Sequence, residues 1–182
     1  MSLFVIALAL ALGLALVTGG SLRHVMETRL RATPALFLAL ALQLGLDLLG
    51  PWRGSGAHLG HWLLVSSYGL LLGFCAANLG LRGMSVVAIG IALNAAVITV
   101  NEGMPIRTAR GKVTTTVKHH RQRPSDRLMP LADIIVVPPV SQALSFGDLI
   151  MMVGLADVLV HRSRATPGRL RRRPSAPLVV AA

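Results

Sequence analysis

The chain is poor in the residues from which most soluble active sites are assembled. It holds one cysteine, Cys75, in 182 residues, which excludes an intrachain disulfide and a cysteine-based zinc site. Cys75 sits inside an apolar stretch, where a packing role is the ordinary reading. Charge is scarce as well: Asp, Glu, Lys and Arg make up 14% of the chain, against about 25% in soluble domains. There is no Walker phosphate loop, no G-x-S-x-G elbow and no H-E-x-x-H helix, so most soluble enzyme classes have nothing to attach to.

What the sequence does have is long apolar runs. Hydrophobic residues reach 53% and the mean hydropathy is +0.66. Spans of about 18–20 residues fit at about 3–20, 34–50, 62–81, 84–100 and 143–160. Helices are the default in lipid, which offers no hydrogen bonds to an open sheet edge. The first run, Leu3 to Val17, has no basic residue before it and is followed by Arg23, Arg29 and Arg31, which suits a permanent helix rather than a cleaved leader. Pro34 opens the second run and Pro51 follows it. Trp62 and Tyr68 stand near the first end of the third, as at an interface. Arg82-Gly83 predicts a two-residue turn and an antiparallel hairpin between the third and fourth spans. The expected fold is an all-α membrane bundle of about five transmembrane helices (residues 1–160) with one long extracytoplasmic loop. That loop covers 101–142 and predicts a strand or surface segment at Ile134 to Val137, closed by Pro138 and Pro139. The region 161–182 is expected to be a basic, disordered cytoplasmic tail.

The net charge of +11 comes from 18 Lys+Arg against 7 Asp+Glu. The basic residues fall between apolar runs, which points to membrane topology and anionic lipid and away from nucleic acid, for which no motif is present. With the N-terminus outside, ten basic residues fall on the inner side and eight on the outer, seven of those eight in the long loop. The bias acts close to span ends, so the expected orientation is N-terminus out and C-terminus in, in a cytoplasmic (inner) membrane. The expected partners are the bilayer and, through Arg169, Arg171, Arg172 and Arg173, anionic headgroups. No protein partner and no cofactor is implied.

With that topology five of the seven acidic residues gather on the outer face: Asp47, Glu102, Asp126, Asp133 and Asp148. Amides join them. Gln43 and Asp47 are four apart on one helix face, and Asn94 and Asn101 are seven apart on another. A carboxylate in a span costs about 2.5–3.5 kcal/mol on insertion scales, so such groups face a bundle interior or water. The alternative is that these are helix-end side chains or interhelical hydrogen-bond partners. His119-His120 is adjacent in sequence, so the two rings point apart, and no third ligand accompanies them; no metal is assigned. Gly69, Gly73 and Ala77 form a small-residue stripe expected to mark helix packing.

The run Asn101-Glu102-Gly103-Met104-Pro105, the histidine-bearing loop, Asp126-Arg127-Leu128, Asp133 and Ser145-Phe146-Gly147-Asp148-Leu149 together resemble a family of small bacterial membrane proteins of unknown function. The order of Asp-Arg, an Asp before an apolar stretch and an Asp opening the last helix is also similar to lipoprotein signal peptidase, a membrane aspartyl protease. That resemblance implies a catalytic pair, Asp133 and Asp148, supported by Asp126 and Arg127. The peptidase has an Asn shortly before its last Asp, where this chain has Ser145, Phe146 and Gly147. Two functions are therefore expected in competition: a non-enzymatic accessory or binding component with an outward polar pocket, and a peptidase-like hydrolase of a membrane-anchored substrate. A small transporter or channel with Asp47 and Asp148 along its path is a third.

Overall fold

The computed structural model describes residues 2–48, 55–107, 116–137 and 142–164. These are mostly helical. In chain order they form α1 (Ser2–Val17), α2 (Leu22–Met26), α3 (Thr33–Leu48), α4 (Ser55–Ala77), α5 (Met84–Asn101), β1 (Met104–Ile106), β2 (His119–Arg121), a 3-10 turn (Met129–Leu131), β3 (Ile135–Val137), β4 (Gln142–Leu144) and α6 (Phe146–Ser163). Of the tail expected from 161 onward, residues 161–163 instead continue α6; the part from 165, the end of the second run and its Pro51, and Pro138 and Pro139 lie outside the described residues.

Among the described residues two helices, Gly56–Ala77 and Met84–Asn101, are long and apolar enough to cross a membrane. Ile6–Val17 and Thr33–Leu48 are apolar but shorter. The helices α5 and α6 pack most extensively; α4 lies against both α3 and α5, and α1 lies against α6. The bundle order is therefore α3, α4, α5, α6, α1, which sets the chain's first helix, α1, against its last, α6.

Close approach of α5 and α6 depends on missing side chains. A Cβ at Gly90 would stand 2.5 Å from the Gly147 carbonyl oxygen, and one at Gly147 would overlap the Asn94 amide. By contrast, nothing lies within 4 Å of a Cβ at Gly69 or Gly73. The stripe at 69, 73 and 77 is thus not a packing seam; that seam runs between α5 and α6, where backbones meet as in small-residue helix interfaces.

The boundaries of α4 differ from expectation. It begins at Ser55 rather than 62 and ends at Ala77 rather than 81, so 78–83 make a six-residue connection in place of a two-residue turn. Asn78 explains the early stop. Its amide donates to the Arg31 and Phe74 carbonyls and accepts from the Arg31 N–H, tying the end of α4 to the entry of α3. Gly83, at φ +85°, then supplies the left-handed residue that starts α5.

The described residues that follow α5 are structured. Glu102 at φ +55° ends the helix, and the chain turns at once into β1, which pairs in parallel with β2, Met104 opposite His119. The expected strand at 134–137 is present as β3 and pairs antiparallel with β4, Ile135 opposite Leu144. A core of Leu46, Leu64, Val97, Ile98, Met104 and Ala132 joins these segments to α3, α4 and α5. The loop therefore packs over the bundle end formed by the C-termini of α3 and α5 and the N-termini of α4 and α6.

Candidate functional site

The polar residues singled out in the sequence converge at that covered end, but in two separate networks with different tasks. The first is a set of clamps. Asn101, the last residue of α5, is buried; its amide donates to the Arg127 carbonyl (2.8 Å) and accepts from the Arg127 N–H (2.7 Å). Asp126 is taken up by the loop itself: its carboxylate stands 3.1 Å from His120 Nε2 and accepts the Arg123 N–H at 2.6 Å. Both side chains of the His120–Asp126 pair are about 4% exposed. Of the two residues expected as a supporting pair for catalysis, Asp126 fastens the loop to itself through a buried histidine, and Arg127 holds the loop to α5 through the backbone clamp on Asn101. Asp47, half-exposed at the end of α3, binds Lys118 Nζ at 2.6 Å. Glu102 is exposed and has no side-chain partner among the described residues.

The second network surrounds the two aspartates. Ser145 caps α6, its hydroxyl accepting the Asp148 N–H at 3.0 Å while Asp148 accepts the Ser145 N–H at 3.1 Å. This capping box is written in the sequence as Ser145-x-x-Asp148. It explains the residue that departs from the peptidase pattern: Ser145 starts the helix. Buried Asn94, in the middle of α5, donates to the other Asp148 oxygen (2.8 Å) and accepts from the Ser145 hydroxyl (2.9 Å). Both carboxylate oxygens of Asp148 are therefore committed.

Asp133 is held differently. Its backbone bridges to β1, accepting the Arg107 N–H and donating to the Pro105 carbonyl at 3.1 Å each. Its residue is 6% exposed, and among the described residues no donor hydrogen-bonds its carboxyl. His119 Nε2 stands 3.7 Å away. Burial, and then the nearby charge of Asp148, push the Asp133 carboxyl up to about 7. Partial burial and the neighbouring Lys118 ammonium hold the His119 imidazole below its usual range. Both shifts disfavour the charged forms, and at 3.7 Å the contact is longer than a hydrogen bond. Tyr68 on α4 lies within the field of both aspartates.

Of the residues the sequence singles out, the structure joins Asn94 to Asp148 by a hydrogen bond and sets Asp133 within reach of the charge of Asp148. The sequence does not single out Ser145 as a partner of Asp148, Lys118 as the partner of Asp47, or His119 as the residue beside Asp133. Only the Ser-x-x-Asp spacing carried a readable signal; the loop pairings depend on contacts far apart in sequence. Among the described residues no group of three or more His, Cys, Asp or Glu could hold a metal ion.

These features define a mostly helical protein with two membrane-capable helices and a polar site under a structured loop. The chain belongs to DUF5317, a family of unknown function, whose model matches residues 27–160 and so takes in α3 through most of α6 and the whole site. No curated protein and no solved structure matches it.

Proposed function

We propose that this chain is a multi-pass protein of the bacterial inner membrane. Its loop-covered face is turned outward, and it acts as a non-enzymatic binding component that takes an outside ligand at Asp133. Support for a five-span bundle comes from the shorter helices. Leu10, Leu14, Phe37 and Leu44 on α1 and α3 are 57–69% exposed, an apolar surface suited to lipid rather than water. Sixteen residues rise about 24 Å, short of a hydrocarbon core of about 30 Å, a mismatch that local thinning of the bilayer accommodates.

The observation that carries the binding reading is the unequal commitment of the two aspartates. Asp148 spends both oxygens on its cap and on Asn94, which makes it a structural anchor, while among the described residues the Asp133 carboxyl accepts no hydrogen bond and can offer its oxygens to a ligand. The N–H or O–H groups of a peptide or polyol segment would satisfy it.

A second reading is favoured by one fact. The Asp133 acid, raised to about 7 by burial and then by the charge of Asp148, resembles the proton-holding member of an aspartyl hydrolase pair. In that reading Asp148 activates water and Asp133 polarises the scissile carbonyl, as the likeness to signal peptidase II implies. Complementation of a chromosomal deletion by D133N and D148N, with inserted protein quantified in each, separates the two. A hydrolase loses function in both variants. A binding site centred on Asp133 loses it in D133N and keeps most of it in D148N, where the amide still accepts from Asn94. Full function in D133N ends both readings.

A further inference from the structure

Beside the aspartates, on the outer surface of the loop, lies an open groove of about 310 Å³ lined by Ile106, Arg107, Arg121, Gln122, Arg123 and Pro124. It is built where β1 and β2 end together. Ile106 pairs with Arg121, the Gln122 N–H reaches the Ile106 carbonyl at 3.2 Å, and the Arg107 N–H is fixed on Asp133. The parallel pairing thus sets three arginines along one rim from two chain segments. All three are exposed, and among the described residues none of the three guanidinium groups has a hydrogen-bond or ion-pair partner. The nearest candidate by sequence to neutralise them, Asp126, is turned inward onto His120 and is about 4% exposed on its side chain. Lys118, by contrast, is paired with Asp47.

We propose that this groove is a binding site for a phosphate group carried by a small anion or a lipid headgroup. Three arginines lining one small concavity, with no counter-charge paired to them among the described residues, repel one another, and a phosphate oxygen set relieves that repulsion while accepting paired N–H donors. The volume suits one phosphoester group with its immediate substituent, not a whole lipid. Apolar Ile106 and Pro124 leave room for the first carbons of an attached glycerol, and Gln122 supplies a neutral donor. Distance from the helices also fits a headgroup. Arg107 follows the end of α5 by six residues, so the groove stands just beyond the membrane-capable helix. The site is independent of the ligand reading at Asp133 and of which face of the membrane the loop occupies.

The test uses the purified full-length protein in a neutral detergent, titrated separately with inorganic phosphate, dihexanoyl-phosphatidylglycerol and dihexanoyl-phosphatidylcholine, with binding read by calorimetry. Saturable binding of one or both anions is expected, weakening with added salt. The R107Q/R121Q/R123Q triple should bind about tenfold or more weaker, and R29Q/R82Q, away from the groove, as wild type. Phosphatidylglycerol binding without phosphate binding identifies a headgroup site; tighter phosphate binding that displaces the lipid identifies a soluble phosphate ligand. If the triple variant folds poorly, the single R121E replaces it and must lower affinity by itself. Equal binding of the neutral-headgroup lipid, no saturable binding of either anion, or wild-type affinity in the arginine variants overturns the proposal.

Discussion

At the residue scale, Asp133 governs how the protein should respond to pH. Its carboxyl stands at about 7 in the folded chain, against an ordinary 3.8. A carboxyl raised on folding is more protonated in the folded than in the unfolded state. Its contribution to stability is therefore complete below about 4 and is lost as pH climbs through about 7. Over that window wild type should lose stability by an amount on the order of a few kcal/mol, and D133N should lack that component. Infrared titration of the protonated carboxyl stretch gives a direct check: one band should disappear with a midpoint near 7 and be absent in D133N. A midpoint in the ordinary carboxylate range would mean that water reaches the group freely. Asn94 supports a second residue-scale expectation. Its amide serves both Asp148 and Ser145 from a buried position, so N94A strands two groups at once. A loss of about 1–3 kcal/mol is expected in thermal or denaturant unfolding.

Elements were read from the sequence with uneven success, for physical reasons. Apolar runs carry their own signal, and all five predicted segments contain a helix, α1, α3, α4, α5 and α6. Their ends do not: α4 stops at Asn78 because that amide finds Arg31, forty-seven residues away in sequence. The β-branched run at Ile134 to Val137 announced β3, but β1 and β2 were invisible. Three-residue strands of Met-Pro-Ile and His-His-Arg have no periodicity to detect and exist through their pairing and the core beneath Met104. Of the candidate site, the aspartates and Asn94 were legible as polar residues in apolar surroundings. The roles of Asp126 and Arg127 were not, since a clamp and a catalytic pair look alike in one dimension. The α5–α6 seam gives the prediction at this scale. In G90L the new side chain meets the Gly147 carbonyl and the Met151 backbone, which cannot yield as a flexible side chain can. The helices must part, at a cost of about 1–3 kcal/mol or more, and the Asn94–Asp148 bond should lengthen with them. The same substitution at Gly73, which faces open space, should be close to neutral for packing within the chain. Equal losses at the two positions would remove the seam from the account of stability.

For the whole molecule, the two ends of the bundle differ in kind. One end is covered by the loop and holds Asp47, Asp126, Asp133 and Asp148. At the other, α2 and the C-terminal end of α6 are tied together, with the Ser21 N–H on the Ser163 carbonyl at 2.8 Å and Arg162 on Thr28 at 2.9 Å. A protein whose polar site lies at one end of helices able to cross a membrane has its function decided by which side that end faces. Cysteine accessibility in intact cells measures this most directly. In a C75A background, one variant carries S125C on the exposed loop and another R29C at the opposite end, and both are treated with a membrane-impermeant thiol reagent. S125C should label in intact cells and R29C only after the membrane is opened. Labelling of R29C alone in intact cells would place the loop and its aspartates inside, and labelling of both would mean that the chain does not separate two compartments.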